Sequence, residues 1–123
     1  MMGVEEKNKL LLVDDDPSNL MELVHILQQD YKIYTAKDGS SALKIANSAL
    51  PNLILLDVVM PGMSGFEVLA ELKKSDNTKS IPVIFITGLS DENESEGLAL
   101  GAVGFIQKPF SAEAVKLKVS QQI

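Results

Sequence analysis

Carboxylate, hydroxyl and ammonium groups stand at the points where the apolar runs of this sequence end. Clustered carboxylates repel one another unless a cation lies between them, and oxygen ligands without histidine or cysteine favour Mg²⁺ or Mn²⁺ over zinc. A cation, a lysine and a hydroxyl that face one carboxylate form a site for a phosphoryl group, with that carboxylate as a nucleophile. The groups are, in chain order, Asp14, Asp15, Asp57, Thr87 and Lys108.

Each of these groups also has an ordinary explanation when it is taken alone. One of the acids at 14–16 is suited to cap a helix, and Asp57 is suited to a turn. Thr87 alone would be an ordinary strand residue, and Lys108 alone would be a solvated surface lysine. It is their coincidence, with one group at the end of each of several strands, that favours a functional site.

The elements that must position these groups are read from the hydrophobic pattern. Short apolar runs alternate five times with longer stretches that carry apolar residues at helical spacing. Turn and capping residues separate them, including a turn at Pro61-Gly62 and a capping box formed by Ser64 and Glu67. Strands are predicted at about 10–13, 32–36, 53–57, 81–87 and 104–107, and helices at about 20–27 and 40–49 and after the caps Ser64, Ser90 and Ser111.

The apolar runs do not alternate with polar residues, which indicates strands covered on both faces, as in a parallel sheet. Five strand–helix units with right-handed crossovers predict an α/β domain built on a doubly wound, five-stranded parallel sheet. In such a sheet, ligands bind beyond the carboxyl ends of the strands. The chemically capable groups are therefore expected to meet at one rim of the sheet.

Composition limits the classes of partner and chemistry. The chain has 123 residues, enough for one domain, and 11 Lys+Arg against 17 Asp+Glu give it a net charge of −6. This acidity, with no arginine, argues against direct nucleic-acid binding. The absence of cysteine excludes thiol catalysis, disulfides and a cysteine-ligated zinc.

No apolar run approaches the ~20 residues of a membrane span, and the first residues are too polar for a signal peptide. A soluble, cytoplasmic protein without membrane partners is therefore expected. Residues 1–8 are expected to be a disordered or flexible lead, and residues 9–123 are expected to form the domain.

At four places the sequence resembles the receiver domains of response regulators in two-component signalling, the CheY-like superfamily. The resemblance runs from about residue 9 to the last helix, and it is specific because the four segments occur together. It implies the flavodoxin-like (βα)5 fold of that family, with strands in the order 2-1-3-4-5. The matching segments are Leu12-Val13-Asp14-Asp15-Asp16, the stretch from Leu55 to Gly65, Ile86-Thr87-Gly88 and Gln107-Lys108-Pro109-Phe110.

The resemblance implies roles for the acids at the rim. Asp57 would accept a phosphoryl group from the phosphohistidine of a sensor histidine kinase or of a phosphotransfer protein. Asp15 and Asp57, Asp14 directly or through water, and the backbone carbonyl of Val59 would hold Mg²⁺, with Mn²⁺ as a substitute. Asp16 matches a position that varies in the family and is given no metal role.

The resemblance also implies roles for residues at the ends of the fourth and fifth strands. Lys108 would bind one phosphoryl oxygen and Thr87 would donate to another, while the small Gly88 leaves the approach open and offers its backbone N–H. The Lys108–Pro109 bond would be cis, which would aim the lysine inward. On phosphorylation, Thr87 would move toward the new oxygens and Phe105 would turn inward behind it.

The implied output is a conformational switch rather than an enzymatic reaction on another molecule. Such a receiver catalyses only its own phosphorylation and dephosphorylation. The face that switches would be formed by the fourth helix, the fifth strand and the fifth helix, and it would contact an output domain or a second copy of the chain. The end of the sequence, from Lys108 to Val119, is weakly similar to receivers that precede cyclic-dinucleotide or kinase modules.

Two apolar residues beside the implied site bear on the lifetime of a phosphoryl group. Val59 lies two residues after Asp57, and Leu89 lies two residues after Thr87. In the family, polar side chains at these positions can orient the attacking water. The resemblance therefore predicts slow self-dephosphorylation here.

Other functions remain open on the residues alone. The run Asp14-x-Asp16-x-Ser18 resembles the start of haloacid-dehalogenase-type Mg²⁺-dependent phosphatases, but those enzymes are longer and carry an acid pair where this chain has Thr87-Gly88. A flavodoxin-like cofactor binder would need a phosphate loop rich in Ser, Thr and Gly, and three acids there would repel the phosphate. A receiver fold used only for interaction is the third alternative, and the complete set of site residues argues against it.

Overall fold

The computed structural model describes residues 6–88 and 91–123, and for residues 91–93 it describes the backbone alone. The cap expected at Ser90 and the lifetime residue Leu89 lie outside the described residues. So does most of the lead expected at residues 1–8.

The sheet has five parallel strands in the order β2-β1-β3-β4-β5, which confirms the predicted fold and strand order. Each neighbouring pair is parallel, so all five carboxyl ends lie at the same edge. The central strand is β3, and β2 and β5 are the two edges. The strands are β1 Lys9–Val13, β2 Lys32–Ala36, β3 Leu53–Asp57, β4 Val83–Thr87 and β5 Gly104–Gln107.

A helix follows each strand, and most of the described helices begin at a side-chain cap. Ser64 and Glu67 form the predicted capping box, and Ser111 caps the last helix as predicted. Among the described residues, no helix combines the length and the apolar character that a bilayer crossing requires. The helices are α1 Pro17–Leu27, α2 Gly39–Ala49, α3 Gly65–Lys74, α4 Asp91–Ala99 and α5 Ala112–Ser120.

The core forms two layers, one on each face of the sheet. Because successive side chains of a strand point to opposite faces, Leu11 and Val13 of β1 pack toward α2 and α3, while Leu10 and Leu12 pack toward α1 and α5. All four side chains are fully buried. A strand that is covered on both faces needs apolar residues at every position, which explains why the apolar runs of the sequence do not alternate.

The fourth strand begins later than predicted. The sequence pattern suggested a start at Ile81, but β4 begins at Val83. Pro82 has no N–H to give to a sheet, and the N–H of Ile81 donates to the carbonyl of Thr78 in the preceding turn at 3.0 Å. The carbonyl of Pro82 does accept from Ile54 of β3, so pairing with the central strand starts immediately before β4.

Candidate functional site

The predicted site residues lie at the carboxyl-terminal rim of the sheet. Asp57 ends β3 and Thr87 ends β4, while Asp14 and Lys108 directly follow β1 and β5. The N–H of Lys108 donates to the carbonyl of Thr87 at 2.9 Å, which extends the β4–β5 pairing to the lysine. Four strands thus deliver side chains to one place, as expected for parallel strands that end at a common edge.

Three carboxylates form a cluster at this rim. Oxygen atoms of Asp14, Asp15 and Asp57 all lie within 4.8 Å of one another. Asp14 is fully buried and Asp57 is 4% exposed, whereas Asp15 is open to solvent. Two acids are therefore held in the protein interior and a third faces the solvent beside them.

Asp16, the next acid along the chain, is not part of this cluster. Its Oδ1 accepts from the backbone N–H of Ser18 at 2.8 Å and caps α1. Its own N–H donates to Asp14 Oδ1 at 2.9 Å, which ties the start of α1 to the buried acid. Asp16 thus caps α1, whereas Asp14 and Asp15 belong to the carboxylate cluster.

The donor atoms fit a divalent cation. Carboxylate oxygens are the ligands that Mg²⁺ prefers, and the cluster presents them without histidine or cysteine. Asp14 Oδ2 is buried and accepts no hydrogen bond from the described part of the chain, although Lys108 Nζ lies 3.3 Å away. A buried anionic oxygen without such a partner is costly, and a bound cation would satisfy it.

Lys108 is the cationic side chain that contacts the cluster. Its Nζ lies 3.3 Å from Asp14 Oδ2 and 3.4 Å from Asp57 Oδ1. The side chain is 27% exposed, and the peptide bond from Lys108 to Pro109 is cis. One ammonium group is therefore shared between the two buried acids.

The surroundings of Asp57 and Lys108 shift the pKa values of both side chains. Burial and, next, the nearby Asp14 carboxylate raise the pKa of Asp57, Lys108 only partly offsets both effects, and the net pKa is about 6. For Lys108, burial acts to lower the pKa, but the carboxylates of Asp57 and Asp14 outweigh it and the pKa is raised. Asp57 thus holds a proton more readily than an isolated aspartate does.

Thr87 and Gly88 complete the rim on the side of β4. Thr87 is 3% exposed. Gly88 is exposed, and a Cβ atom placed on it would meet no atom of the described residues within 4 Å. The approach to the cluster is therefore open at Gly88, while the hydroxyl of its neighbour is held in the interior.

Behind the rim, aromatic rings occupy the α4 side of β4 and β5. Phe105 pairs with Phe85 across the two strands, and their ring centroids lie 5.6 Å apart. Phe85 in turn contacts Phe66 of α3 edge-on at 5.1 Å. Phe105, the residue expected to turn inward, is partly buried against this row of rings.

Two close approaches were missed in the sequence. Gly65 begins α3 against the backbone of Asp57, and Gly97 places α4 against the rings of Phe85 and Phe105. The available signal was a glycine at positions where a helix ordinarily gains from a side chain. Such a signal indicates that something lies close to the backbone, but it does not identify the neighbour.

Comparison with known proteins gives the family. The family model described as the response regulator receiver domain matches residues 10–120. Chemotaxis protein CheY4 of Vibrio cholerae has a solved structure that covers 95% of this chain and 99% of its own, with a TM-score of 0.90 and 35% identity. The chain belongs to the response-regulator receiver domains of two-component systems, and the haloacid-dehalogenase alternative is not favoured.

Curated relatives carry this domain within longer chains. A probable cyclic di-GMP phosphodiesterase of Vibrio cholerae is 44% identical over 96% of this chain, and response regulator PleD of Caulobacter vibrioides is 43% identical over 82% of it. Histidine kinase P4 of Formosa agariphila is 37% identical over 94%. The chain spans 27%, 23% and 8% of these three relatives, respectively.

Proposed function

We propose that this chain accepts a phosphoryl group on Asp57 from the phosphohistidine of a sensor histidine kinase or phosphotransfer protein. A carboxylate oxygen of Asp57 forms the new bond to phosphorus. The bond from phosphorus to the imidazole nitrogen breaks, and its electron pair goes to that nitrogen. The observation that carries the proposal is the position of Asp57, at the end of the central strand, among two further acids and one lysine.

The other residues of the rim hold the incoming group. Lys108 Nζ lies close enough to Asp57 to reach an oxygen of a phosphoryl group on that side chain. Thr87, on the neighbouring strand, supplies a hydroxyl for a second oxygen, and the open Gly88 admits the donor and offers its N–H. Each contact is made to charge that grows as the phosphoryl group transfers.

A divalent cation completes this site. When bound by Asp14, Asp15, Asp57 and the backbone carbonyl of Val59, Mg²⁺ (or Mn²⁺) supplies the positive charge that lets an anionic phosphoryl group approach three carboxylates. Among the acids of the cluster, Asp14 would gain most from a bound cation, because one of its oxygens is buried without a hydrogen bond from the described residues. Val59 supports the arrangement through its backbone N–H, which donates to Asp57 Oδ1 at 3.3 Å.

The proposed functional unit spans residues 9–123, with residues 1–8 as a lead outside it. Its output is a change in the face formed by α4, β5 and α5, which follows the movement of Thr87 and Phe105. Leu98 of α4 and Leu117 of α5 are 54% and 57% exposed on these elements, and they give this face an apolar contact area. We infer that the face binds an output domain or a second copy of the chain.

The relatives suggest the kind of output. One of the most similar is named as a probable cyclic di-GMP phosphodiesterase, and another as a histidine kinase. We infer that this receiver governs a module of cyclic-dinucleotide metabolism, because the 44% identity to the phosphodiesterase covers 96% of the chain. The receiver itself performs no reaction on the dinucleotide in this proposal.

The test of the phosphoacceptor is direct. The protein is incubated with Mg²⁺ and acetyl phosphate, and its mass is measured. We expect one added phosphoryl group in the unaltered protein, none in the Asp57→Asn variant, and normal uptake in Asp16→Asn, which retains a helix cap. Uptake by Asp57→Asn would refute the assignment, and continuous phosphate release without a modified protein would favour a phosphatase.

A further inference from the structure

The first residue of α3 lies directly against the backbone of the phosphoacceptor. Gly65 is buried, and its N–H donates to the carbonyl of Val58 at 2.8 Å. A Cβ atom on Gly65 would overlap the backbone oxygen of Asp57 and would lie 2.9 Å from the Cα atom of Val58. Because ordinary Cβ contacts begin near 3.4 Å, α3 approaches the strand more closely than a residue with a side chain permits.

The end of α3 that makes this approach is held firmly. The hydroxyl of Ser64 accepts from the backbone N–H of Glu67 at 3.2 Å, and the Glu67 carboxylate accepts from the N–H of Ser64 at 3.1 Å. This capping box satisfies N–H groups that the first turn would otherwise leave open. The fixed turn therefore supports the strand end from behind, at the residue whose carboxylate faces the cluster.

We propose that Gly65 is a positioning residue for the phosphoacceptor site. By letting the start of α3 contact the backbone of Asp57 and Val58, it sets how far the Asp57 carboxylate reaches toward Asp14 and Asp15. A side chain at position 65 would push this backbone by about half an ångström or more to restore an ordinary contact. The inference rests on the proposed function, since positioning matters only if Asp57 binds the cation and the phosphoryl group.

The principal test is the Gly65→Ala variant. Its Mg²⁺ affinity is measured by calorimetry and its phosphorylation rate by mass, with acetyl phosphate as donor. We expect Mg²⁺ binding to weaken by roughly tenfold and phosphorylation to slow by roughly a hundredfold, the scale on which small displacements act in positioned reactions. In EDTA, the amide resonances of Val58 and Val59 should shift, because the displacement does not depend on the metal.

Two control variants separate positioning from general damage. Gly104→Ala places its Cβ atom 4.0 Å from Ile84 and should leave Mg²⁺ affinity and phosphorylation unchanged. Leu72→Ala removes a buried side chain from the last turn of α3, so it lowers stability without touching the rim. Mg²⁺ affinity and phosphorylation in Gly65→Ala that match the unaltered protein, or that fall no further than in Leu72→Ala, would overturn the inference.

A second pair of variants applies if Gly65→Ala does not fold. Ser64→Ala removes the cap of α3, and Ser111→Ala removes the same kind of cap from α5. We expect roughly threefold weaker Mg²⁺ binding in Ser64→Ala only, the scale of a lost helix cap. Equal affinities in the two variants would contradict the positioning role. If the unaltered protein took up no phosphoryl group, the proposed function would fail, while the metal affinities would still report on position.

Discussion

At the scale of single residues, Asp57 carries a free-energy cost whenever it is ionised in the metal-free protein. Burial and the neighbouring Asp14 raise its pKa from 3.8 to about 6. Between these two pH values the folded state binds more protons than the unfolded state, so stability falls as the pH rises through this range. Well above pH 6 the penalty is complete, and the rise from 3.8 to about 6 corresponds to on the order of 3 kcal/mol.

Replacement of Asp57 by asparagine should therefore stabilise the metal-free protein in a pH-dependent way. In EDTA, we expect Asp57→Asn to raise the free energy of unfolding by about 1–2 kcal/mol at pH 7.5 and by much less near pH 4, where the acid is protonated. Urea denaturation at both pH values measures this. The exposed Asp16→Asn serves as the control and should show no such difference, and an equal gain for Asp57→Asn at both pH values would contradict the argument.

We expect the side chain of Val59 to affect how long a phosphoryl group would persist. Its side chain is 61% exposed next to Asp57, and it is apolar, so it offers no hydrogen bond to an attacking water. We expect Val59→Asn to speed loss of the phosphoryl group by roughly tenfold, within the range that a positioned polar group contributes. Decay of the phosphorylated protein is followed by mass, with Val103→Asn as the control at another exposed valine. Equal decay rates in the two variants would show that the side chain of Val59 does not control the loss of the phosphoryl group.

At the scale of elements, α4 meets the sheet through its backbone. Of the α4 residues whose burial is described, 94–99, only Gly97 is buried. A Cβ atom at this position would lie 2.6 Å from Phe105 Cζ and 3.0 Å from the ring of Phe85. The helix thus depends on the absence of a side chain to lie over the ring that is expected to move.

The Gly97→Ala variant should show that this contact outweighs helix propensity. Alanine favours a helix interior by about 1 kcal/mol over glycine. Here we expect a net loss of about 1–2 kcal/mol in the free energy of unfolding, because overpacking of the rings costs more. Urea denaturation measures the change, and Gly104→Ala, which has room for a Cβ atom, should be nearly neutral. A Gly97→Ala protein with a higher free energy of unfolding would contradict this, because it would show that the rings of Phe85 and Phe105 can move aside without loss of stability.

The elements themselves were largely predictable from local signals. The third and fifth strands begin and end where the sequence indicated, at Leu53–Asp57 and Gly104–Gln107, because turn residues bracket short apolar runs. The fourth strand was predicted two residues too long, since the apolar Ile81 continues the pattern although Pro82 cannot donate to a sheet.

The candidate site was predictable only as far as topology dictates. Parallel strands bring their carboxyl ends to one edge, so residues such as Asp14, Asp57 and Lys108 had to lie near one another. The close approach of Gly65 to the Asp57 backbone was not predictable, because it depends on how far α3 lies from the strand. The raised pKa of Asp57 follows from the same packing and not from the spacing of the acids.

At the scale of the whole molecule, the net charge of −6 is combined with a few exposed apolar side chains. Repulsion between like-charged copies favours the monomer, so association has to come from a specific contact. Leu98 and Leu117 lie on the two helices of the proposed output face and are more than half exposed. A second copy or an output domain would cover them.

Leu117→Lys should therefore weaken the association that we propose phosphorylation to promote. We expect the unaltered protein to shift toward a dimer when acetyl phosphate and Mg²⁺ are added, and the variant to remain monomeric, because a lysine in this contact would be buried without a partner. Sedimentation velocity measures both. Leu50→Lys, at a similarly exposed leucine that directly follows α2, should behave as the unaltered protein does. Dimers of the Leu117→Lys protein would place the contact elsewhere.

The ion pairs of Lys108 join strands that are not neighbours. Lys108 extends from the edge strand β5, whereas Asp57 belongs to the central strand β3, and β4 lies between them. The ion pairs of Lys108 with Asp57 and Asp14 therefore connect the end of the edge strand β5 to the ends of β3 and β1, across the end of β4. We consequently expect a change of charge at Asp57 to act on Lys108 and the end of β5 directly, and not through the hydrogen bonds between neighbouring strands.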